Sequence, residues 1–198
     1  MRIKSSWFKE GRVHTPQEIS DALSFTISRI ADNALKNTRK ARFEIEVGQQ
    51  YFEFLAEFTL FLILVADRIA YRELSAEDRA IFTANLANRV GETFAENRSR
   101  LLVEDYKECK QRFIDLLNQR AGEYADFHFD EKGPEYGFYR YLAFCIGEVM
   151  TDADSGWVID QMISFEAPEA VQMVEKTLRG LYEAEPKKPR RRAAAGGD

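Results

Sequence analysis

Histidine and cysteine are scarce: His14, His128, Cys109 and Cys145 are the only ones in 198 residues. Most zinc, haem and Cys/His catalytic designs need more such ligands than this, so any metal chemistry has to be carboxylate-rich. The two cysteines sit 36 residues apart, each inside an apolar helical pattern. That arrangement fits reduced structural thiols in a cytoplasmic protein better than a disulfide framework.

Long apolar runs are missing too. The most hydrophobic stretch, Leu55 to Ala66, is 12 residues long and contains Glu57. A bilayer span needs about 20 residues, so this segment reads as a buried helix and no membrane partner is expected. The opening MRIKSSWFKEGR is basic but lacks the apolar run of about 7–15 residues that a secretory signal requires, so no export is expected. Absent as well are a Gly-rich phosphate loop, a Gly-x-Ser-x-Gly nucleophile turn, an internal repeat and a Gly-Ser linker.

Positive charge is in deficit, with 28 Lys and Arg against 33 Asp and Glu, a net charge of −5 and a pI near 5.3. Residues 183–198 run against this trend: they hold five basic and three acidic residues, which leaves 23 basic and 30 acidic, or −7, in the first 182. A whole-surface nucleic-acid binder is therefore not expected, although the cluster Lys187, Lys188, Arg190, Arg191 and Arg192 suits contact with phosphates or an acidic partner.

What the chain has in quantity is apolar and aromatic side chains, 45% and 13% of residues, spaced at helical period. Thr15-Pro16-Gln17-Glu18 is a capping box with proline at the first helical position, and Ile19, Leu23, Ile27, Ile30 and Ala34 carry a stripe to about Lys36. The pattern predicts a second helix from about Ala41 to Arg72, apolar all round in its later half and therefore the centre of the fold. Ser75-Ala76-Glu77-Asp78 opens a third helix to about Asn97, and Leu102, Tyr106, Cys109, Phe113, Leu116 and Leu117 mark a fourth from about Ser99 to Arg120.

Gly122 to Gly133 is predicted as the longest ordered loop, closed by Pro134. A fifth helix follows to about Met150, a turn at Asp152–Gly156, a short helix carrying Trp157, Val158, Met162 and Phe165, and a last helix started by Pro168. The expectation is an all-α, single-domain bundle of about seven helices over residues 1–183, with a disordered basic tail over 184–198.

Four constellations could carry chemistry. Glu53 and Glu57, one helical turn apart on the most apolar helix, could bind a cation or share a proton if their side of the helix is interior. His128, between Phe127 and Phe129 and beside Asp126 and Asp130, lies on a lid-length loop where a carboxylate could orient an imidazole base; the same rings could simply pin the loop to the core. Tyr136, Arg140 and Phe144 recur every four residues opposite the apolar stripe of the fifth helix, with Gly137 and Gly147 nearby to admit another backbone, which marks an interface or pocket face. Asp152-Ala153-Asp154-Ser155-Gly156 resembles a calcium loop only in passing, since glycine falls at its fifth position and Ile163 at its twelfth.

A ferritin-like di-iron site needs two Glu-x-x-His pairs, and Gly11 and Ala125 stand where those glutamates would be. No metal or cofactor is therefore expected. The composite expectation is a non-enzymatic helical interaction or regulatory protein that pairs with itself or a protein partner. The competing one is a bundle enclosing a small-molecule or metal site, possibly an enzyme, built from Glu53, Glu57, His128 and Arg140.

Overall fold

The computed structural model describes residues 14–151 and 154–182, and the chain there is all-α. The basic tail, the N-terminal dodecapeptide and Asp152 of the calcium-like loop lie outside the described residues. Helix α1 (Pro16–Lys40) begins where the capping box places it: Thr15 Oγ1 accepts from the Glu18 amide and Glu18 Oε2 accepts from the Thr15 amide, both at 3.2 Å.

Its end is sharper than the apolar pattern suggests. Arg42 adopts φ 72°, the Phe43 amide donates back to the Thr38 carbonyl and the Arg42 amide to that of Arg39, which is a left-handed helix stop. The next helix therefore starts eight residues after Ala41, at α2 (Gln49–Glu73), behind Gly48 at φ 137°. Only glycine reaches that φ without strain.

Helix α2 is the centre of the fold, as its composition requires. Phe54, Phe58, Leu60, Phe61, Leu62, Ile63, Val65 and Ala66 are all fully buried, and α2 packs on α1, α3, α4, α5 and α7. Each such side chain removed from water stabilises the fold by about 1.5–3 kcal/mol before chain entropy is counted.

Helix α3 (Ala76–Leu102), capped by Ser75, runs five residues past Asn97, and α4 (Tyr106–Tyr124), capped by Asp105, starts correspondingly late. The stop is again left-handed: Val103 sits at φ 58° and the Glu104 amide returns to the Ser99 carbonyl. Where α3 meets α4, Gly91 leaves room for the Phe113 ring; a Cβ there would lie 3.1 Å from Phe113 Cδ1.

Helix α4 also consumes the start of the predicted loop. The remainder forms a two-residue antiparallel pair, β1 (Phe129–Asp130) with β2 (Gly133–Pro134), before α5 (Tyr136–Val149). Its rings hold it down: Phe127 and Phe129 both meet Phe138 edge-on, and the Arg72 guanidinium stands 5.2 Å over Phe129.

The last two predicted helices are one rod. α6 (Ser155–Gln161) passes through a π turn (Met162–Glu166) into α7 (Ala167–Tyr182), so Pro168 continues a helix rather than starting one. The widened turn, in which the Ala167 amide reaches back to the Met162 carbonyl, falls where proline leaves the ladder without a donor.

Candidate functional site

A network of polar side chains forms where α4 meets α2 and α5. Glu57 is almost wholly inside, its side chain 10% exposed, and Arg120 of α4, 15% exposed, grips it bidentately at 2.6 and 2.8 Å. Arg120 also donates from Nη1 to Glu123 at 2.7 Å and to the Tyr141 hydroxyl at 3.3 Å, while that hydroxyl donates to Glu123 at 2.6 Å.

Four charged or polar groups on three helices thus close into one network. Burial works against the charged form of Glu123, yet the hydrogen bonds from Tyr141, Gln119 and Arg120 hold its carboxyl at about 2. Burial and the neighbouring Glu57 push the Cys145 thiol up to about 12, so it stays protonated at neutral pH.

Beside this network a half-open cleft of about 370 Å3 runs between α2, α3 and α4. Gln49, Glu53, Ala56 and Glu57 form its α2 wall, Phe94 and Arg98 come from α3, Cys109, Arg112, Phe113 and Leu116 from α4, and Val149 closes one end. Two arginines share one carboxylate here: Arg98 donates Nε and Nη2 to Glu104, and Arg112 donates Nη2 to the same group.

Those arginines, Arg98 foremost, with the Cys109 thiol, hold the Glu104 carboxyl at about 2 against the opposing effect of burial. The Cys109 thiol is pushed up by burial and by the hydrogen bond it donates to Glu104 at 3.2 Å. A second groove of about 430 Å3, between α2, α3 and α4 on the other side, is lined largely by alanines; its one acid, Asp67, is held by Arg79 and Thr83.

The residues singled out by sequence separate in space. Glu53 and Glu57 do share the cleft, but their environments differ: Glu57 belongs to Arg120, whereas half-buried Glu53 accepts from Gln49, at 2.6 Å, and from no other described residue. Among the described residues no group of three His, Cys, Asp or Glu side chains is placed to hold a metal ion.

His128 lies outside the cleft, 71% exposed on the pinned hairpin, with its ring 3.9 Å from Asp130. Tyr136, Arg140 and Phe144 are also outside it, exposed together on the outer face of α5. The flanking glycines serve the chain itself: Gly137 accommodates the Phe127 ring, 2.9 Å from where a Cβ would stand, and Gly147 seats Ile159 of α6.

Sequence reasoning missed Arg98, Arg112 and Arg120. Arg120 is 63 positions from Glu57, and no local spacing announces that pair.

The chain matches no protein-family model, no curated protein and no solved structure. Among the described residues no helix is long and apolar enough to cross a membrane.

Proposed function

We propose that this is a non-enzymatic α-helical interaction protein that pairs with a second copy of itself through the outer ridge of α5. The observation that carries the reading is the ridge Tyr136, Arg140, Phe144 and Glu148, four residues spaced by four, all exposed on a helix whose other face is in the core. Tyr136 is 63% and Phe144 54% exposed, and among the described residues neither Arg140 nor Glu148 makes an ion pair.

Rows of residues four apart are the ridges that interlock when two helices pack. In an antiparallel pairing centred on Phe144, position 140 of one copy faces position 148 of the other. A two-fold axis then makes the contact twice, as isologous interfaces do. The ridge is self-complementary in charge, with rings at its centre, and this favours a second copy over an unrelated partner. Two free, buried cysteines suit a reducing compartment such as the cytoplasm.

One helix ridge is a small interface, at the weak end of the size range. The test is sedimentation of the wild-type protein over roughly 10 µM to 1 mM. Dimer is expected to grow with concentration, to be lost in Arg140→Glu and in Glu148→Arg, and to return in the double charge swap. A wild type that stays monomeric throughout, or a dimer indifferent to Arg140→Glu, refutes the reading.

A further inference from the structure

We propose that the cleft between α2, α3 and α4 is a binding site for a small zwitterion whose amine and carboxylate sit at opposite ends of an apolar body. The inference rests on the charges left uncompensated on its two walls, and it is independent of how α5 pairs.

On one wall, Arg98 and Arg112 together bring two positive charges to the single Glu104 carboxylate. Arg98 has used Nε and Nη2 and Arg112 only Nη2 in that contact; among the described residues the Nη1 groups of both and Nε of Arg112 make no hydrogen bond to another oxygen. The guanidinium donors that remain are the geometry that recognises a carboxylate.

On the other wall the balance is reversed. Glu57 is matched by Arg120, but that cation also serves Glu123, so the trio is net negative. Glu53 stands beside it with one oxygen bonded to the Gln49 amide; among the described residues its other oxygen is unbonded and no cation is paired to it. A half-buried carboxylate in that position attracts an ammonium group.

The same cleft has an apolar lining in Phe94 and Phe113, their ring centroids 4.9 Å apart, and Leu116. A volume of about 370 Å3 suits a small molecule, and because the two charges are carried by different helices the amine and the carboxylate of the ligand have to be separated along its body. An amine and a carboxylate joined by a run of methylenes answer both walls, with the methylenes against the Phe94 and Phe113 rings. Neither charge alone satisfies both walls, so the site selects for the pair.

The probe is 6-aminohexanoate, compared with hexanoate, which lacks the amine, and hexylamine, which lacks the carboxylate. Binding is followed through the Arg98 and Arg112 side-chain Nε–H signals in nitrogen-15 spectra of the full chain. Saturable shifts are expected with 6-aminohexanoate at an affinity at least about tenfold above either single-charge analogue. Glu53→Gln, which keeps the acceptor for Gln49, is expected to reduce 6-aminohexanoate to the affinity of hexanoate while leaving hexanoate itself unchanged. Arg112→Gln should weaken the two carboxylates and spare hexylamine. The proposal is overturned by an absence of saturable shifts, by equal affinity for the three probes, or by full retention of 6-aminohexanoate binding in Glu53→Gln with native circular dichroism.

Discussion

Replacing Arg120 by methionine removes the cation from a nearly buried pair and leaves Glu57 inside the bundle without its partner. Breaking a buried pair from one side costs about 3–5 kcal/mol, because the surviving charge keeps its desolvation penalty and loses its compensation. The carboxylate has one escape, which is to take up a proton. From an ordinary unfolded-state glutamate value of about 4.3, neutralisation at pH 7 costs about 3.7 kcal/mol, and each unit of lower pH reduces that by about 1.4 kcal/mol.

The loss in Arg120→Met is therefore expected at about 3–4 kcal/mol at pH 7 and at roughly 1 kcal/mol near pH 5. Glu57→Gln should cost less, because Arg120 retains Glu123 and Tyr141. The double variant Glu57→Leu with Arg120→Met should come back to within about 1–2 kcal/mol of wild type, as apolar replacements of buried pairs do. Urea unfolding followed by circular dichroism at both pH values supplies all four numbers. A single-variant loss under about 1 kcal/mol at pH 7, or one equally large at pH 5, would show that Glu57 is solvated in solution and that the network is ornamental.

Acid should expose the other half of the polar framework. The carboxyls of Glu104 and Glu123 are held at about 2, below their unfolded values, so the stability they contribute is complete above about pH 5 and lost as pH falls towards 2. An acid titration of Glu104→Gln should show a flatter fall over that window, and an unchanged slope would refute the assignment. Val103 is a β-branched residue at φ 58°, so Val103→Gly should stabilise the fold by up to about 1–2 kcal/mol and raise the urea midpoint, and a lowered midpoint would mean that the left-handed stop is unstrained. Glycine position matters in both directions: Gly122→Ala, with open space around it, should gain up to about 1 kcal/mol from helix propensity. Gly91→Ala should lose that gain and more against Phe113, and thermal melts of the two variants should move in opposite senses.

Helix identity was legible because it is written locally. Thr15, Pro16 and Glu18 fix the start of α1 by contacts within four residues, and the phenylalanines of α2 declare burial by occurring on every side. Helix ends were less legible where a residue without turn character makes the stop. Arg42 and Val103 are poor candidates for positive φ on their own, and the chain adopts it there because the neighbouring helices must be re-aimed to close the core.

The π turn escaped for a related reason. Pro168 reads as a helix start, but a donor missing from the ladder can also be absorbed by one widened turn. On α5 the four-residue spacing put Tyr136, Arg140 and Phe144 away from the core, where they stand exposed. Spacing did not tell Glu53 from Glu57, since the difference between them is a guanidinium brought in from another helix.

That difference decides what the cleft can be. Had Arg120 been apolar, Glu53 and Glu57 would face one another as like charges, and the wall would suit a cation or a shared proton. With Arg120 committed to the inner glutamate, the outer one keeps its charge without an internal partner, and the α2 wall holds a single accessible negative site. The α3 and α4 wall reaches the mirror condition by giving two guanidiniums to Glu104. The α3 and α4 wall is thus left net positive and the α2 wall net negative. Loss of Arg120 would both destabilise the bundle and leave a second unmatched carboxylate on the α2 wall, and this links stability and the charge of the cleft through a single arginine.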